Sequence, residues 1–369
     1  SIEKQCALST ISNQRTSSTM TESAMNLPTT AVQEPCVWLS ILVPVYQVQA
    51  YLKACADSIL EQADHGVEVI FVDDASPDDC ATLLASLKAA HPHQVRVLRH
   101  EQNQGLSAAR NTLFSAARGQ YIWFIDSDDL LEKNAISKLK SIIDKTSVDL
   151  IMCDFRRFED NTNAGHRSRH KYISTFKGPT TRLSQDHDFL LSGLFKTGQF
   201  HVWSKVIRKA CWPEDLIFPV GHNFEDLAVI PRLLVHIKTY HHEPTAWIAY
   251  RQRKGTILST LSPARIKDWT QALVGYPTYL KEHALQLDHP AKFEVAHFCA
   301  RTFIRAAKKQ AQQLQIPQRE WLPQFAERWA LSSPLTFSEL MQNYLKRGYW
   351  LRALQFLYWV QQSRRTIRL

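Results

Sequence analysis

The hydrophobic positions fall into three regimes along the chain. Residues 1–36 are rich in Ser, Thr and Gln with no sustained apolar period. Such a stretch buries too little surface to offset its ordering entropy, so a disordered tail is expected there, with Met20 and Met25 as candidate natural starts. From Trp38 the pattern changes. Trp38–Val45 (WLSILVPV), Val67–Val72 (VEVIFV), Val95–Leu98, Tyr121–Ile125 (YIWFI) and Val148–Cys153 are short, nearly continuous apolar runs, as in strands buried on both faces. Between them, residues 50–62, 77–90, 106–117 and 133–144 carry helical spacing, and the second of these opens on Pro77 with Asp78 and Asp79 beside it. Strands alternating with helices at this spacing predict an α/β fold with a mostly parallel, doubly wound sheet. The pattern is lost from Phe155 to about Pro179, a basic, His-rich segment that reads as a long loop. Helical spacing returns at Asp186–Phe195 and Phe224–His236, a strand is expected at Thr245–Tyr250, and from Pro263 onward the chain reads as helix. There is no internal repeat.

Composition narrows the class without choosing a function. The 369 residues, 44% hydrophobic and 21% charged, suit one large globular domain or a domain with an appendage. A formal net charge of +9 favours polyanionic partners: nucleic acid, an anionic membrane or phosphorylated small molecules. The seven cysteines lie far apart with no CxxC pair, which argues against a disulfide framework or a thiolate zinc site and points to a reducing, cytoplasmic setting. No apolar run approaches the roughly 18 residues needed to span a bilayer.

In open α/β sheets, ligands bind beyond the carboxyl ends of the strands. The first strand is followed by Pro44 and Tyr46, the second by Asp73 and Asp74, and the fourth by Asp126-Ser127-Asp128-Asp129. Asp78 and Asp79 sit where a helix begins and read as capping residues. Asp126 and Asp128 are different. Two carboxylates one residue apart in an extended loop can face one hard cation, and such a cation also binds the phosphates of a nucleotide sugar. The plain alternative is a solvated acidic turn, and Asp-x-Asp taken alone is a weak signal.

Residues 39–129 resemble the nucleotide-binding half of family-2 glycosyltransferases of the GT-A fold. Three stretches carry the resemblance in order and spacing: LSILVPVYQVQAYLKACADSIL, VIFVDDASPDD and NQGLSAARNTLFSAARGQYIWFIDSDD. HVWSKVIRKACW, FPVGHNFEDLAVIPRLL and WIAYRQRKGTILS continue it more weakly to about residue 260, in the order seen in members that build polysaccharides and glycolipid heads. The resemblance implies a GT-A catalytic domain over 37–260, divided into a nucleotide-binding half (37–130) and an acceptor half (131–260), with a helical C-terminal region over 261–369. It implies that Tyr46 packs on the nucleobase, Pro44 fixes the turn, Asp74 accepts a hydrogen bond from the base and Asp73 shapes the site. Asn103, Gly105 and Arg110 fall in the third signature; Arg110 reaches either the base or a phosphate, or forms a structural salt bridge. Asp126 meets the ribose or the metal, and Asp128 is the first choice as direct ligand of Mn²⁺ or Mg²⁺. Glu225-Asp226 resembles the family's acidic pair on the acceptor side, with Asp226 the expected general base and Glu225 the fallback. His222, Trp203, Lys205, Arg251 and Arg253 are candidates to line the donor or acceptor. Trp203 is equally a plain core residue. Arg251 and Arg253 depart from the Gln-x-x-Arg-Trp motif of processive synthases.

The implied activity is inverting transfer of a sugar from a nucleotide-diphosphate donor, with a UDP-sugar favoured, to a hydroxyl of a saccharide or lipid-linked saccharide in cell-surface polysaccharide synthesis. A non-catalytic sugar-nucleotide-binding protein and a nucleotidyltransferase are the alternatives. The second calls for a Gly-rich phosphate loop where the chain has Pro44-Val45-Tyr46. No recognised nucleic-acid motif accompanies the positive charge, so no nucleic-acid partner is expected. Basic and aromatic residues interleave over Tyr344–Leu369. They suit either a helix lying in an anionic membrane interface or one packed on the catalytic domain with its basic face in water.

Overall fold

The computed structural model describes residues 37–159, 171–252, 262–313 and 316–367, with side chains through Arg364. The tail expected over residues 1–36, the middle of the basic His-rich segment and Arg253 lie outside the described residues.

Strands β1 (Leu39–Val45), β2 (Val67–Asp73), β3 (Val95–Arg99) and β4 (Tyr121–Phe124) alternate with helices α1 (Gln49–Leu60), α2 (Cys80–Ala90) and α3 (Leu106–Ala116). These are the runs the hydrophobic pattern marks. The chain continues through β5 (Leu130–Leu131), α4 (Ala135–Lys145), β6 (Leu150–Glu159), β7 (Lys171–Ile173), β8 (Leu183–Ser184), α5 (His187–Thr197), β9 (Lys205–Arg208), α6 (Glu225–Leu233) and β10 (Tyr240–Gln252). Six helices follow: α7 (Pro263–Gln271), α8 (Tyr276–Glu282), α9 (His289–Ala311), α10 (Gln318–Ser332), α11 (Phe337–Lys346) and α12 (Trp350–Ile367).

The strands form one sheet in the order β3-β2-β1-β4-β9-β6-β10-β5, with β7 beside β6 and β8 beside β10. It is parallel across β3, β2, β1 and β4, and β9 then enters antiparallel to both β4 and β6. The whole sheet is therefore mixed. β9 has four residues, KVIR, too few for a strand period to register in the sequence. The segment read as a loop from Phe155 also differs: β6 runs to Glu159, and β7 pairs with it antiparallel from Phe155↔Ile173 to Arg157↔Lys171. Its outer residues are partly exposed, so a polar strand is tolerated where an apolar one was sought. β10 is thirteen residues long rather than six, with register shifts between Glu243, Ala246 and Ile248 around Pro244. Proline cannot donate to a ladder and is accommodated at such irregularities.

Alternation sends Ile41, Val43 and Phe71 to one face of the sheet, where they pack with Leu52, Ile59, Leu139 and Ile143 of α1 and α4. Leu42, Ile70, Val72, Ile122 and Phe124 pack on the other face with Ala109 and Leu113 of α3. Each such side chain contributes about 1.5–3 kcal/mol on full burial. The second core extends without a break into the C-terminal helices: Phe195 of α5 meets Phe298 of α9 edge-on at 5.5 Å, and Leu322, Phe325 and Phe356 belong to the same cluster. The helical region thus shares the sheet's core.

Candidate active site

The parallel register brings the carboxyl ends of β1, β2 and β4 to one edge, with Val45 opposite Asp73 and Leu42 opposite Phe124. Pro44 is buried within β1, and the next exposed residue is Tyr46, whose ring is free to face a ligand. The Tyr46 turn is braced from β2: the Gln47 amide donates to Ser76 Oγ at 2.8 Å, and the Ser76 amide donates to Asp73 Oδ1 at 2.8 Å. Asp78 ties the starts of two helices, accepting from the Gln49 amide at 3.0 Å and the Cys80 amide at 3.4 Å, as its capping position suggests.

Asp73 and Asp74 are both buried and occupied by the protein. Asp73 also pairs with Arg99 at 3.3 Å. Asp74 accepts from the Gln104 and Gly105 amides at 2.9 and 2.8 Å and meets His100 Nδ1 at 2.6 Å. A carboxylate offers about four lone-pair sites, so these three bonds leave room for one more partner at Oδ2. Asn103 Nδ2 reaches the Asp74 carbonyl at 3.4 Å. Gly105 has φ +89°, a conformation that strains any L side chain, so glycine is required where its amide turns onto Asp74. His100 was not singled out from sequence, although it directly follows β3 and the strand-end rule covers it.

The acidic turn after β4 is organised differently. Asp129 is buried, and its Oδ1 accepts the Arg251 amide at 2.8 Å. Arg251 Nε donates to the Asp128 carbonyl at 2.7 Å, and its guanidinium stacks on Tyr51 and Phe158 at 4.9 and 4.6 Å. Asp126 and Asp128 themselves are half-buried. Burial first, and then Asp126 and Asp128, push the Asp129 carboxyl well above the usual range, while its Oδ1 braces the turn through the Arg251 amide.

Arg110 joins the two halves of the site. It is buried in α3, and its guanidinium reaches Glu225 Oε1 at 2.6 Å, Asp226 Oδ1 at 2.8 Å and Asp126 Oδ1 at 3.2 Å. Of the roles open to it in the sequence, the structural salt bridge is the one observed. Burial alone would lower the guanidinium pKa; Asp226, Asp126 and Glu225 overcome that and hold it charged. Three carboxylates share this single cation. Burial first, and the repulsion of Glu225 and Asp126 against the pull of Arg110, push the Asp226 carboxyl up to about 7. Asp226 Oδ2 also accepts the Val202 amide at 3.2 Å. Glu225 and Asp226 open α6, and the residue before them, Phe224, has φ +60° and stacks on Trp269 at 5.6 Å. Left-handed backbone at a bulky residue is strained and persists where packing enforces it.

Four other expected site residues are engaged elsewhere. Trp203 is a core residue, stacked between His201 at 4.7 Å and Tyr250 at 5.6 Å. Lys205 is buried and donates to the carbonyls of Gln199 and His201, both at 2.9 Å, and to Ser204 Oγ at 3.1 Å. That cage satisfies the ammonium without a ligand. His222 pairs with Asp268 of α7 at 3.3 Å and is otherwise exposed. Arg251 lies within β10 rather than beyond it and supports the acidic turn, while Arg253 is outside the described residues.

Among the described residues no three His, Cys, Asp or Glu side chains converge into a ready metal cage. Asp126 and Asp128 offer two carboxylates, which fits an ion that takes its other ligands from water and phosphate, as Mg²⁺ does. No helix among the described residues is long and apolar enough to cross a membrane. Of the cysteines, Cys55, Cys80, Cys153 and Cys299 are free and buried and Cys211 is free and partly buried.

The glycosyl transferase family 2 profile matches residues 40–205. Over 117 residues the chain is 38% identical to an uncharacterized glycosyltransferase, EpsJ, of Bacillus subtilis, covering 32% of this chain and 33% of EpsJ. It is 27% identical over 232 residues to the glycosyltransferase GlyG of Streptococcus pneumoniae, covering 60% of this chain and 73% of GlyG. The chain thus spans about a third of the length of EpsJ, and the same share of GlyA from S. pneumoniae. Residues 1–349 of S. aureus TarS, crystallised with UDP-GlcNAc, superpose with a TM-score of 0.64 over 89% of this chain and 92% of that one, at 19% identity. With the profile match, the ordered strand-end motifs and this shared architecture, residues 40–205 form a glycosyl transferase family 2 domain and the chain has the GT-A fold.

Proposed function

We propose that the protein transfers a sugar from a nucleotide diphosphate, a UDP-sugar first, to a hydroxyl of a saccharide or lipid-linked saccharide, with inversion at the anomeric carbon. The observation that carries this reading is the Arg110 hub, which holds Asp226 at 2.8 Å on one side and Asp126 at 3.2 Å on the other. A single guanidinium thereby links the acceptor-side acid to the turn beside which the donor diphosphate is expected.

In this reading Tyr46 stacks on the base, and Asp74 holds the Gln104–Gly105 loop beside it while keeping one lone-pair site for the base N–H. Asp126 and Asp128 would hold Mn²⁺ or Mg²⁺ with the diphosphate. When bound, such an ion supplies positive charge against the charge that grows on the leaving group. Asp226 takes the proton of the acceptor hydroxyl as it attacks. A carboxylate lifted to about 7 is a stronger base than an ordinary one and is still substantially ionised at neutral pH. Arg110 keeps Asp226 oriented and ionisable, and Glu225 shares that cation. No covalent sugar–enzyme intermediate is needed.

The transfer is tested by incubating the protein with UDP-GlcNAc, the ligand named for the TarS structure, and other nucleotide sugars, with Mn²⁺ or Mg²⁺ and saccharide acceptors. The product's anomeric configuration is then read by NMR. Inversion relative to the donor is expected; a retained configuration would overturn the single-displacement assignment of Asp226.

A further inference from the structure

The C-terminal helix packs on the rest of the fold, as one of the two arrangements open to it in the sequence has it. Its inward face packs: Ala353, Phe356, Trp359 and Val360 are buried, with Phe356 against Trp329 at 4.8 Å. Over Trp350–Tyr358 the outward face is apolar. Trp350 is 62% exposed, Leu351 71%, Leu354 64% and Tyr358 53%, and Tyr349 and Leu345 extend the same ridge toward α11. Leu351, Leu354 and Tyr358 recur at the three- and four-residue spacing of one helix face. Contiguous exposed apolar residues of this size mark an interaction surface.

Beside the ridge lies a group of arginines with no ion pair at contact distance. Arg347 sits over Phe293 at 4.0 Å, and Tyr349 lies 6.2 Å from that same ring and 5.8 Å from His297. Burial, then Arg301, Arg352 and Arg347, pull the His297 imidazole down to about 4. Burial, then Arg305 and Arg352, pull Arg301 below the usual arginine range, and its Nε is buried without a hydrogen-bond partner. Among the described residues no carboxylate lies within ion-pair distance of these four guanidinium groups. The carboxylate that faces them, Glu294, lies 3.8 Å from Lys196. Tryptophan and tyrosine above a leucine ridge, flanked by unpaired arginines, match the interface of an anionic bilayer. The rings sit at headgroup depth, the leucines reach the acyl boundary and the cations meet lipid phosphate.

We infer that the α11–α12 corner, with the ridge from Leu345 to Tyr358 and the arginines Arg301, Arg305, Arg347 and Arg352, docks the protein on an anionic phospholipid surface. This inference does not depend on the transferase reading.

The test is co-sedimentation of the full chain with vesicles of phosphatidylcholine alone, or of equal parts phosphatidylcholine and phosphatidylglycerol. Wild type is expected to bind the anionic vesicles, more weakly as salt rises, and to leave the neutral ones. Leu351→Glu/Leu354→Glu, whose side chains are largely in water, should lower the partition coefficient about tenfold or more, since each buried leucine is a substantial share of such binding. Arg305→Ala/Arg347→Ala should lower it about fivefold per cation removed. Unchanged melting temperatures guard against misfolding, and the arginine pair tests the claim even if the glutamates disturb the helix. Absence of wild-type binding to anionic vesicles, or binding kept by both variants, overturns the inference. So does a wild-type oligomer that Leu351→Glu/Leu354→Glu converts to monomer with no vesicle binding, because the face then belongs to a second copy of the chain.

Discussion

The turns after β2 and β4 both open on aspartates, Asp73-Asp74 and Asp126-Ser127-Asp128-Asp129, yet their carboxylates are engaged differently. In the first turn both are buried and hold backbone amides, His100 and Arg99. In the second, Asp129 is the buried one and holds the Arg251 amide, while Asp126, which meets Arg110, and Asp128 stay half-buried at the sheet edge. A buried carboxylate surrounded by its own protein's donors shapes a loop, whereas a partly solvated one next to a buried brace is available to a cation or a phosphate-bearing ligand. Acidic composition is therefore a poor guide to role. What separates the two turns is how deeply the fold buries their carboxylates.

Exchanging side chains between the two kinds of position tests this difference. The largest effect is expected at the acid that Arg110 links to the second turn: Asp226→Asn should lower kcat by about 10²–10⁴ while donor affinity is kept, measured by steady-state kinetics and calorimetry. Its pH dependence sharpens the assignment. Burial and the carboxylates around it raise the folded pKa of Asp226 to about 7, so wild-type kcat/KM should climb as pH rises toward 7 and level off above it. Stability runs the other way. The folded pKa lies above the unfolded value of about 3.9, so the stabilisation from proton uptake is complete below about 4 and is lost as pH rises through 7. Asp226→Asn should remove both dependences.

Next come the paired variants. Asp128→Ala should lower activity by about 10²–10³ with little loss of stability, as for removal of one group that stabilises charge in the transition state. Asp74→Ala should instead lower unfolding free energy by about 1.5–3 kcal/mol in urea titration, since it strands two amides and an imidazole. If Asp74→Ala left stability intact, the first turn would not be the structural one. The smallest effect belongs to His222→Ala, expected to change stability by no more than about 0.5 kcal/mol and kcat/KM little, since the imidazole is exposed and paired only with Asp268.

Much of the sheet edge was legible because β1, β2 and β4 are unbroken apolar runs whose ends carry distinctive residues. Tyr46 and the two acidic turns follow from that directly. β9 and the long forms of β6 and β10 were not legible. They are short, polar at their ends or broken at Pro244, and their pairing is set by strands distant in sequence. Lys205 and Trp203 are both buried by tertiary packing that a linear pattern does not encode, Trp203 in the core position the sequence equally allowed. Arg110 carried no signal for its partners, which lie 115 and 116 residues further on at Glu225 and Asp226. Its three-way pairing depends on α3 and α6 meeting at the sheet edge. Phe224's left-handed backbone is likewise invisible in sequence, being enforced by Trp269 from α7.

The most direct test of the central claim is release of nucleoside diphosphate from a panel of nucleotide sugars with acceptor and Mn²⁺ or Mg²⁺, run for wild type, Asp128→Ala and Asp226→Asn, with donor binding read in the same samples. Metal-dependent release from at least one donor, lost in both variants while Asp226→Asn still binds that donor, is the expected result. Failure of wild type to bind any nucleotide sugar, or full release by Asp226→Asn, would contradict it.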